Sequence, residues 1–134
     1  MTSGSGRIAT ADAFQEAFGV SRETLDRLKI YEGLLKTWQR TINLVSPATL
    51  DDAWHRHFAD SAQLLKFAPE GGKFWLDLGS GGGFPGLVLA ILLAERNPEA
   101  RMTLVESDSR KAAFLGEVAR KTGVAVEIRV ERSE

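Results

Sequence analysis

A run of glycines between residues 79 and 86 is the part of the sequence whose residue types and spacing indicate a chemical function. It reads GSGGGFPG and follows an apolar segment that contains Asp77. Glycines let the backbone turn sharply off a strand and let a ligand approach the main chain. The helix expected after the loop presents free backbone N–H groups to a negatively charged group. We therefore predict a ligand site at this loop.

A single acidic residue supplies the second half of the predicted site. Glu106 lies 23 residues after Gly83, at the end of a second apolar segment. A carboxylate at that place can accept hydrogen bonds from both hydroxyls of a ribose, as the acidic residue about 20 positions after the loop does in nucleoside cofactor folds. The ligand is therefore predicted to contain a nucleoside.

The glycine spacing leaves more than one interpretation open. Gly81, Gly83 and Gly86 satisfy the pattern GxGxxG of dinucleotide-binding folds, which would make the chain a nicotinamide dinucleotide-binding oxidoreductase domain. Asp77 would then repel the pyrophosphate, and Pro85 removes an N–H donor where a phosphate needs one. S-adenosyl-L-methionine fits better, because its cationic groups can lie near Asp77 while its carboxylate meets the N–H groups of the loop. In a third interpretation the glycines serve only a tight turn.

The composition limits the kind of protein that carries this site. A chain of 134 residues with 43% hydrophobic and 26% charged residues is typical of one globular core. A net charge of -1 excludes a protein that coats nucleic acid by bulk charge, and the lack of cysteine excludes disulfides and cysteine zinc sites. The longest apolar run, Leu87 to Ala94, is too short for a bilayer, which needs roughly 18 residues. The start MTSGSGRIATAD lacks the apolar core of a signal peptide. We expect a cytoplasmic protein without a membrane partner.

The first half of the chain has a helical hydrophobic period. Residues 1–10 are small and polar and are predicted to form a flexible tail, and residues 11–68 are predicted to form an N-terminal helical subdomain. Three helices are predicted there, namely one that ends at Gly19, one from the N-cap Ser21 to Arg40, and one that begins at Thr49 and kinks near Asp60.

From residue 73 the period changes to that of strands alternating with helices. Residues 73–134 are predicted to form the first half of a Rossmann-like α/β domain with a parallel sheet. The predicted elements are, in order, the strand Lys73–Leu78, the helix Gly86–Arg96, the strand Arg101–Glu106, the helix Ser109–Thr122 and the strand Val124–Val130.

Three separate segments occur in the order NLVSPATLDDAWHRHFADS, FWLDLGSGGGFPGLVLAI and TLVESDSRKAAFL. Together they resemble the glucose-inhibited division protein B family, the bacterial 16S ribosomal RNA guanine-N7 methyltransferases. The resemblance runs from about residue 25 to the last residue. It implies a class I S-adenosylmethionine-dependent methyltransferase fold behind an N-terminal helical subdomain. It also implies methylation of N7 of a guanine in 16S ribosomal RNA, with the small ribosomal subunit as partner.

The resemblance assigns roles to individual residues. It implies that Gly79, Ser80, Gly81 and Gly83 wrap the methionine part of the cofactor, that Phe84 lies against it, that Glu106 holds the ribose, and that Ser133 and Glu134 border the adenine. It names no catalytic base in this chain, and none is required, because guanine N7 carries a lone pair and no proton.

Members of the family continue for several strands and helices beyond the point where this sequence stops. We expect a fragment that lacks the substrate side of the site, and a non-catalytic fragment is the third functional alternative. The first strand would then present an unpaired apolar edge, through which the fragment is predicted to self-associate, while the parent protein is expected to be a monomer.

Two histidines near the middle of the chain invite a metal or triad interpretation. His55 and His57 are two residues apart and would face different sides of a helix, and no cysteine completes a ligand set, so we predict no metal site. The spacing predicts instead that Arg56 pairs with Asp60 and His57 with Ser61, each four residues on, and that these pairs brace the turn leading into the cofactor site.

Overall fold

The helical part begins with two capped helices. The structure, a computed structural model, describes residues 7–67, 72–79 and 81–131. Helix α1 (Ala11–Phe18) ends at Gly19, whose left-handed backbone (φ 65°) stops the helix. Helix α2 (Arg22–Gln39) begins at Ser21, whose side chain accepts the N–H of Thr24. These predictions are confirmed within the described chain.

The prediction of a third helix is wrong in where the helix begins and in its type, since most of it is not a regular α-helix. Ser46, not Thr49, caps a short helix α3 (Pro47–Leu50), because Pro47 is preorganised for a first helical position. A π-helical turn follows at Trp54–Ala59, which we call the π turn. It leads at Asp60, the position of the predicted kink, into the short α4 (Asp60–Ala62) and a 3₁₀ turn (Gln63–Phe67).

The second half has the alternation that the sequence predicts. Its elements are β1 (Phe74–Leu78), α5 (Gly86–Arg96), β2 (Arg101–Glu106), α6 (Ser109–Thr122) and β3 (Glu127–Val130). The bounds of α5, β2 and α6 match the prediction, whereas β1 starts one residue and β3 three residues later than predicted. The strands pair in parallel in the order β1-β2-β3, as expected for half of a Rossmann-like sheet.

Strand β1 is less buried than its apolar sequence predicts. Phe74, Leu76 and Leu78 point to one face and are 84%, 63% and 70% exposed. The reason is that α5 and α6 cover only the other face within the described part of the chain. There β1 pairs with β2 alone. Self-association through this edge stays a prediction.

The helical part and the sheet share one hydrophobic core. Tyr31 of α2, Phe58 of the π turn, Leu104 of β2 and Phe114 of α6 are each fully buried in the same cluster. The ring of Tyr31 lies 5.2 Å from that of Phe58 and 6.2 Å from that of Phe114. The helices of the first half therefore pack directly on the layer that covers the sheet.

In the residues that the structure describes, none of the helices has the length and apolarity that crossing a membrane would take.

Candidate functional site

The glycine loop and Glu106 meet at the carboxyl ends of β1 and β2. The backbone N–H of Gly81 donates to Glu106 Oε1 at 2.6 Å, and that of Asp108 donates to Oε2 at 2.9 Å. Only 5% of Glu106 is exposed. The carboxyl edge of a parallel sheet is where α/β proteins bind ligands. The two parts of the predicted site are therefore adjacent.

Asp77 holds the start of the helix after the loop. Its Oδ2 accepts the backbone N–H of Gly86 at 2.9 Å. Pro85, the residue that precedes α5, has no side chain that can accept a hydrogen bond from the start of the helix. The carboxylate of Asp77 caps the helix instead, and it lies at the positive end of the helix dipole. The sequence predicts Asp77 beside a cationic ligand, and in the structure one of its carboxylate oxygens holds the start of α5.

At Gly83, as at Gly86, an added β-carbon would have no room. The φ of Gly83, 96°, lies in the region that side chains rarely adopt. A β-carbon added there would collide with the hydroxyl of Tyr31 and would lie 3.0 Å from the Cβ of Leu87. The loop is therefore packed closely against its supports at this residue.

Tyr31 is a support for the loop that sequence reasoning missed. Its hydroxyl donates to the carbonyl oxygen of Gly82 at 2.6 Å, and its ring stacks on that of Phe84 at 5.3 Å. Burial, and to a lesser extent the charge of Asp77, raises the pKa of Tyr31 well above its ordinary value, so the phenol stays protonated and donates. A buried tyrosine hydroxyl usually has a partner, but that partner is 51 residues away and no local spacing reveals it.

Replacing Tyr31 by phenylalanine is expected to lower the free energy of unfolding by about 1 to 3 kcal/mol, because the buried carbonyl of Gly82 loses its donor. Urea denaturation followed by tryptophan fluorescence measures the loss. Thr37→Ala is the matched control, since it deletes an exposed hydroxyl that donates to Gly33 and should change stability by less than about 0.5 kcal/mol. Equal losses in the two variants would show that the contact with the loop is not what stabilises the protein.

His57 braces the loop, but through other partners than the predicted ones. Its Nε2 lies 2.8 Å from the hydroxyl of Thr49, and its ring stacks on Phe84 with a centroid distance of 4.7 Å. The predicted pairings of His57 with Ser61 and of Arg56 with Asp60 are both wrong, because the chain follows a π turn at this point, which changes the helical spacing. Burial, followed by the positive charge of Arg56, lowers the pKa of His57 from its ordinary value of 6.5.

This lowered pKa gives the stability of the protein a pH dependence. The unfolded chain binds the His57 proton more readily than the folded chain, so stability is full above pH 6.5 and is lost as the pH falls below it and through the lower pKa of the folded state. We expect the free energy of unfolding to decrease between about pH 7.5 and about pH 5.5, and this slope to be reduced in His57→Gln. Urea denaturation across that range tests it, and an equal slope in the variant would contradict it.

Of the remaining predicted site residues, some are described by the structure and some are not. Gly79 is exposed at the end of β1, and Phe84 is half-buried against Tyr31 and His57. Ser80, Ser133 and Glu134 lie outside the described residues. Among the described residues, no group of three or more His, Cys, Asp or Glu side chains lies close enough together to hold a metal ion.

Comparisons with known proteins agree on one family. Residues 24–134 match the family model described as rRNA small subunit methyltransferase G. A protein of Rhodospirillum centenum named ribosomal RNA small subunit methyltransferase G is 61% identical over 124 residues, which are 92% of this chain and 55% of that protein. A protein of Parvibaculum lavamentivorans with the same name is 53% identical over 134 residues, which are 100% of this chain and 59% of that protein.

Among solved structures, the crystal structure of coclaurine N-methyltransferase bound to N-methylheliamine and SAH has 18% sequence identity and a TM-score of 0.49, and the match covers 91% of this chain and 41% of that one. The chain spans a little over half the length of the two curated relatives named above.

Proposed function

This chain belongs to the rRNA small subunit methyltransferase G (GidB) family, and from that premise we propose that it carries the cofactor half of a class I methyltransferase, which methylates N7 of a guanine in 16S ribosomal RNA. The cofactor is S-adenosyl-L-methionine and the partner is the small ribosomal subunit in the cytoplasm. The observation that carries the proposal is the contact between Glu106 and the N–H of Gly81 at the carboxyl edge of the sheet.

The chemistry of Glu106 fits a ribose. Each carboxylate oxygen accepts one backbone N–H, while an ionised carboxylate offers about four lone-pair sites. By that count two acceptor sites remain for hydroxyl donors, which would have to reach them through the 5% of Glu106 that is exposed. We propose that Glu106 orients the nucleoside while it keeps the loop in place.

The glycine loop fits a ligand that approaches the main chain. Gly79 has a φ of 71°, and a β-carbon added there would meet nothing within 4 Å. The loop is thus open at its first glycine and tightly packed at Gly83. We propose that the open part receives the cofactor and that Tyr31, Asp77 and His57 keep the loop in position from behind.

When bound, the cofactor supplies a methyl group on a positively charged sulfur. Because guanine N7 carries a lone pair and no proton, the protein would need no general base for the transfer. The residues of this chain contribute by positioning, which in enzymes supplies several kcal/mol of barrier lowering. Glu106 would hold the nucleoside, and the glycine loop, fixed to Glu106 through the N–H of Gly81, would hold the methionine part.

Isothermal titration calorimetry of the chain with S-adenosylmethionine, S-adenosylhomocysteine and NADH tests the cofactor proposal. We expect both adenosyl amino acids to bind and NADH not to bind. The third glycine of the GxGxxG pattern gives its N–H to Asp77, which leaves a pyrophosphate one donor fewer. Binding of NADH without binding of S-adenosylmethionine would favour the oxidoreductase alternative and overturn the proposal.

Methyl transfer tests the substrate proposal separately. The chain is incubated with tritiated S-adenosylmethionine and small subunits that lack the modification. Label at a guanine that borohydride and aniline then cleave supports methylation at N7. Label at another base contradicts the proposed acceptor, and bound cofactor without transfer leaves the chain as a non-catalytic fragment.

A further inference from the structure

A small cleft separates the π turn from the residues Phe84 and Pro85. Its volume is about 160 Å³, and its other wall comes from the π turn and the two short turns that follow it. Pockets that hold a drug-sized ligand are larger, about 300 to 1,000 Å³. The cleft therefore has room for one small planar group and not for a whole cofactor.

Two opposite charges line the cleft without being paired. Arg56 and Asp60 are both exposed and both belong to its wall. Within the described ranges neither side chain makes an ion pair or a hydrogen bond, although Arg120 and Glu117, also exposed, pair at 3.0 Å. A strong donor and a strong acceptor are thus available to a ligand at the same place.

Ser61 adds a buried polar group to the wall. It is only 4% exposed, it lines the cleft, and its hydroxyl has no hydrogen-bond partner among the residues that the structure describes. Buried hydroxyls are normally hydrogen-bonded. An unsatisfied hydroxyl at the cleft indicates that a polar ligand completes the site.

His57 offers a further acceptor in the same wall. The single hydroxyl hydrogen of Thr49 is donated to the carbonyl oxygen of Ser46 at 2.9 Å, so this hydroxyl accepts the Nε2–H of His57 at 2.8 Å. In the neutral ring Nδ1 then carries a lone pair. The wall is therefore richer in acceptors for N–H groups than in donors.

Among the bases of RNA, guanine matches this set of groups. Its Watson–Crick edge carries two adjacent donors, N1–H and the 2-amino group, next to the acceptor O6. Adenine and cytosine present a ring nitrogen with a lone pair in the middle of that edge, which a carboxylate repels, and uracil presents one N–H between two carbonyls. Guanine alone gives a carboxylate two neighbouring hydrogen bonds.

We propose that this cleft binds a guanine base of the RNA substrate by its Watson–Crick edge, with Asp60 accepting from N1–H and the 2-amino group and with Arg56 and Ser61 donating to O6. The inference rests on the proposed function, in which the substrate is RNA. Proteins read RNA sequence mainly on unstacked bases, through these edges and through contacts with the base plane. Leu64, which is 45% exposed, and Pro85 supply apolar surface for that plane. This mode of binding leaves N7, on the other edge, uncovered.

Four ligands without a ribose test the inference by nuclear magnetic resonance titration of the isotope-labelled chain. They are 9-ethylguanine, 9-ethyladenine, 9-ethylhypoxanthine and 9-ethyl-7-methylguanine, and none of them can use a ribose contact at Glu106. We expect 9-ethylguanine to bind at least about fivefold more tightly than 9-ethyladenine, since a bidentate base contact discriminates by that much or more. The hypoxanthine, which lacks the 2-amino group, should fall between them.

The methylated base distinguishes the two edges of guanine. We expect 9-ethyl-7-methylguanine to bind at least as tightly as 9-ethylguanine, because the methyl group lies away from Asp60. A loss of binding on methylation would show that the N7 edge is held, and equal binding of guanine and adenine would show that Asp60 does not select the base. Either result overturns the inference.

Asp60→Asn should weaken the binding of 9-ethylguanine by about tenfold or more, since it removes a charged acceptor. It should change the affinity for S-adenosylhomocysteine less than about twofold. Asp26→Asn, at an exposed aspartate of α2 outside the cleft, is the matched control and should alter neither affinity.

Equal losses of both ligands in Asp60→Asn would mean that the substitution acts through the fold, and an unchanged guanine affinity would place the base elsewhere. Both outcomes refute the inference. An unmodified chain that binds S-adenosylhomocysteine but not 9-ethylguanine also refutes it and leaves the proposed cofactor intact. A chain that binds neither ligand refutes the proposed function as well.

Discussion

Gly83→Ala is expected to destabilise the protein by about 2 to 5 kcal/mol, the largest stability effect of any single change proposed for this chain. The added carbon meets the Tyr31 hydroxyl, the Cβ of Leu87 at 3.0 Å and a methyl group of Leu115 at 3.2 Å, and all three belong to buried residues. The positive φ adds strain that a side chain increases. Domains of this size are stable by about 5 to 15 kcal/mol, so a large share of the total is at stake.

The matched control for Gly83 is Gly123, at the end of α6. It has a similar positive φ of 75°, but a β-carbon added there would meet nothing within 4 Å. Gly123→Ala should therefore cost only the backbone strain, about 1 to 2 kcal/mol. Urea denaturation monitored by circular dichroism compares the two variants. Losses of the same size would mean that close packing under the loop contributes nothing.

Glu106→Gln is expected to weaken the binding of S-adenosylhomocysteine by about a hundredfold or more. The substitution removes the charge that strengthens hydrogen bonds from the ribose hydroxyls. It also turns one acceptor into an NH₂ group, which would face the N–H of Gly81 or of Asp108 and push the loop away. Calorimetry on the variant measures the loss.

Glu127→Gln provides the comparison for Glu106. Glu127 lies on β3 of the same sheet, but its carboxylate is exposed and pairs with Arg129 on the surface. Its substitution should leave the affinity unchanged within about twofold, as surface ion pairs contribute little. An affinity in Glu106→Gln within threefold of the unmodified chain would rule out the ribose role.

The sequence predicts the ends of helices best where glycine or proline marks them. Pro85 and Gly86 start α5, and Gly123, with a left-handed backbone, ends α6. These signals act over a few residues, so they can be read from the chain alone. With the change of hydrophobic period at residue 73, they predict the alternation of strands and helices that the structure shows.

The sequence predicted least where the conformation depends on distant contacts. The π turn at Trp54–Ala59 has no distinct hydrophobic period, so the sequence predicts an α-helix there and the wrong partner for His57. The bond between Tyr31 and Gly82 joins residues far apart in the chain. The contact of Asp77 with the N–H of Gly86 likewise depends on how the chain folds around it.

The common core of helices and sheet has a consequence for anyone who wishes to cut or recombine this protein. Tyr31, Phe58 and Phe114 fill one space from three different elements. A chimera that joins these helices to the sheet of a distant relative would have to exchange those aromatic rings as a set. Separating the two halves would expose hydrophobic surface on each. It would also remove the hydrogen bond that the Tyr31 hydroxyl donates to the carbonyl oxygen of Gly82.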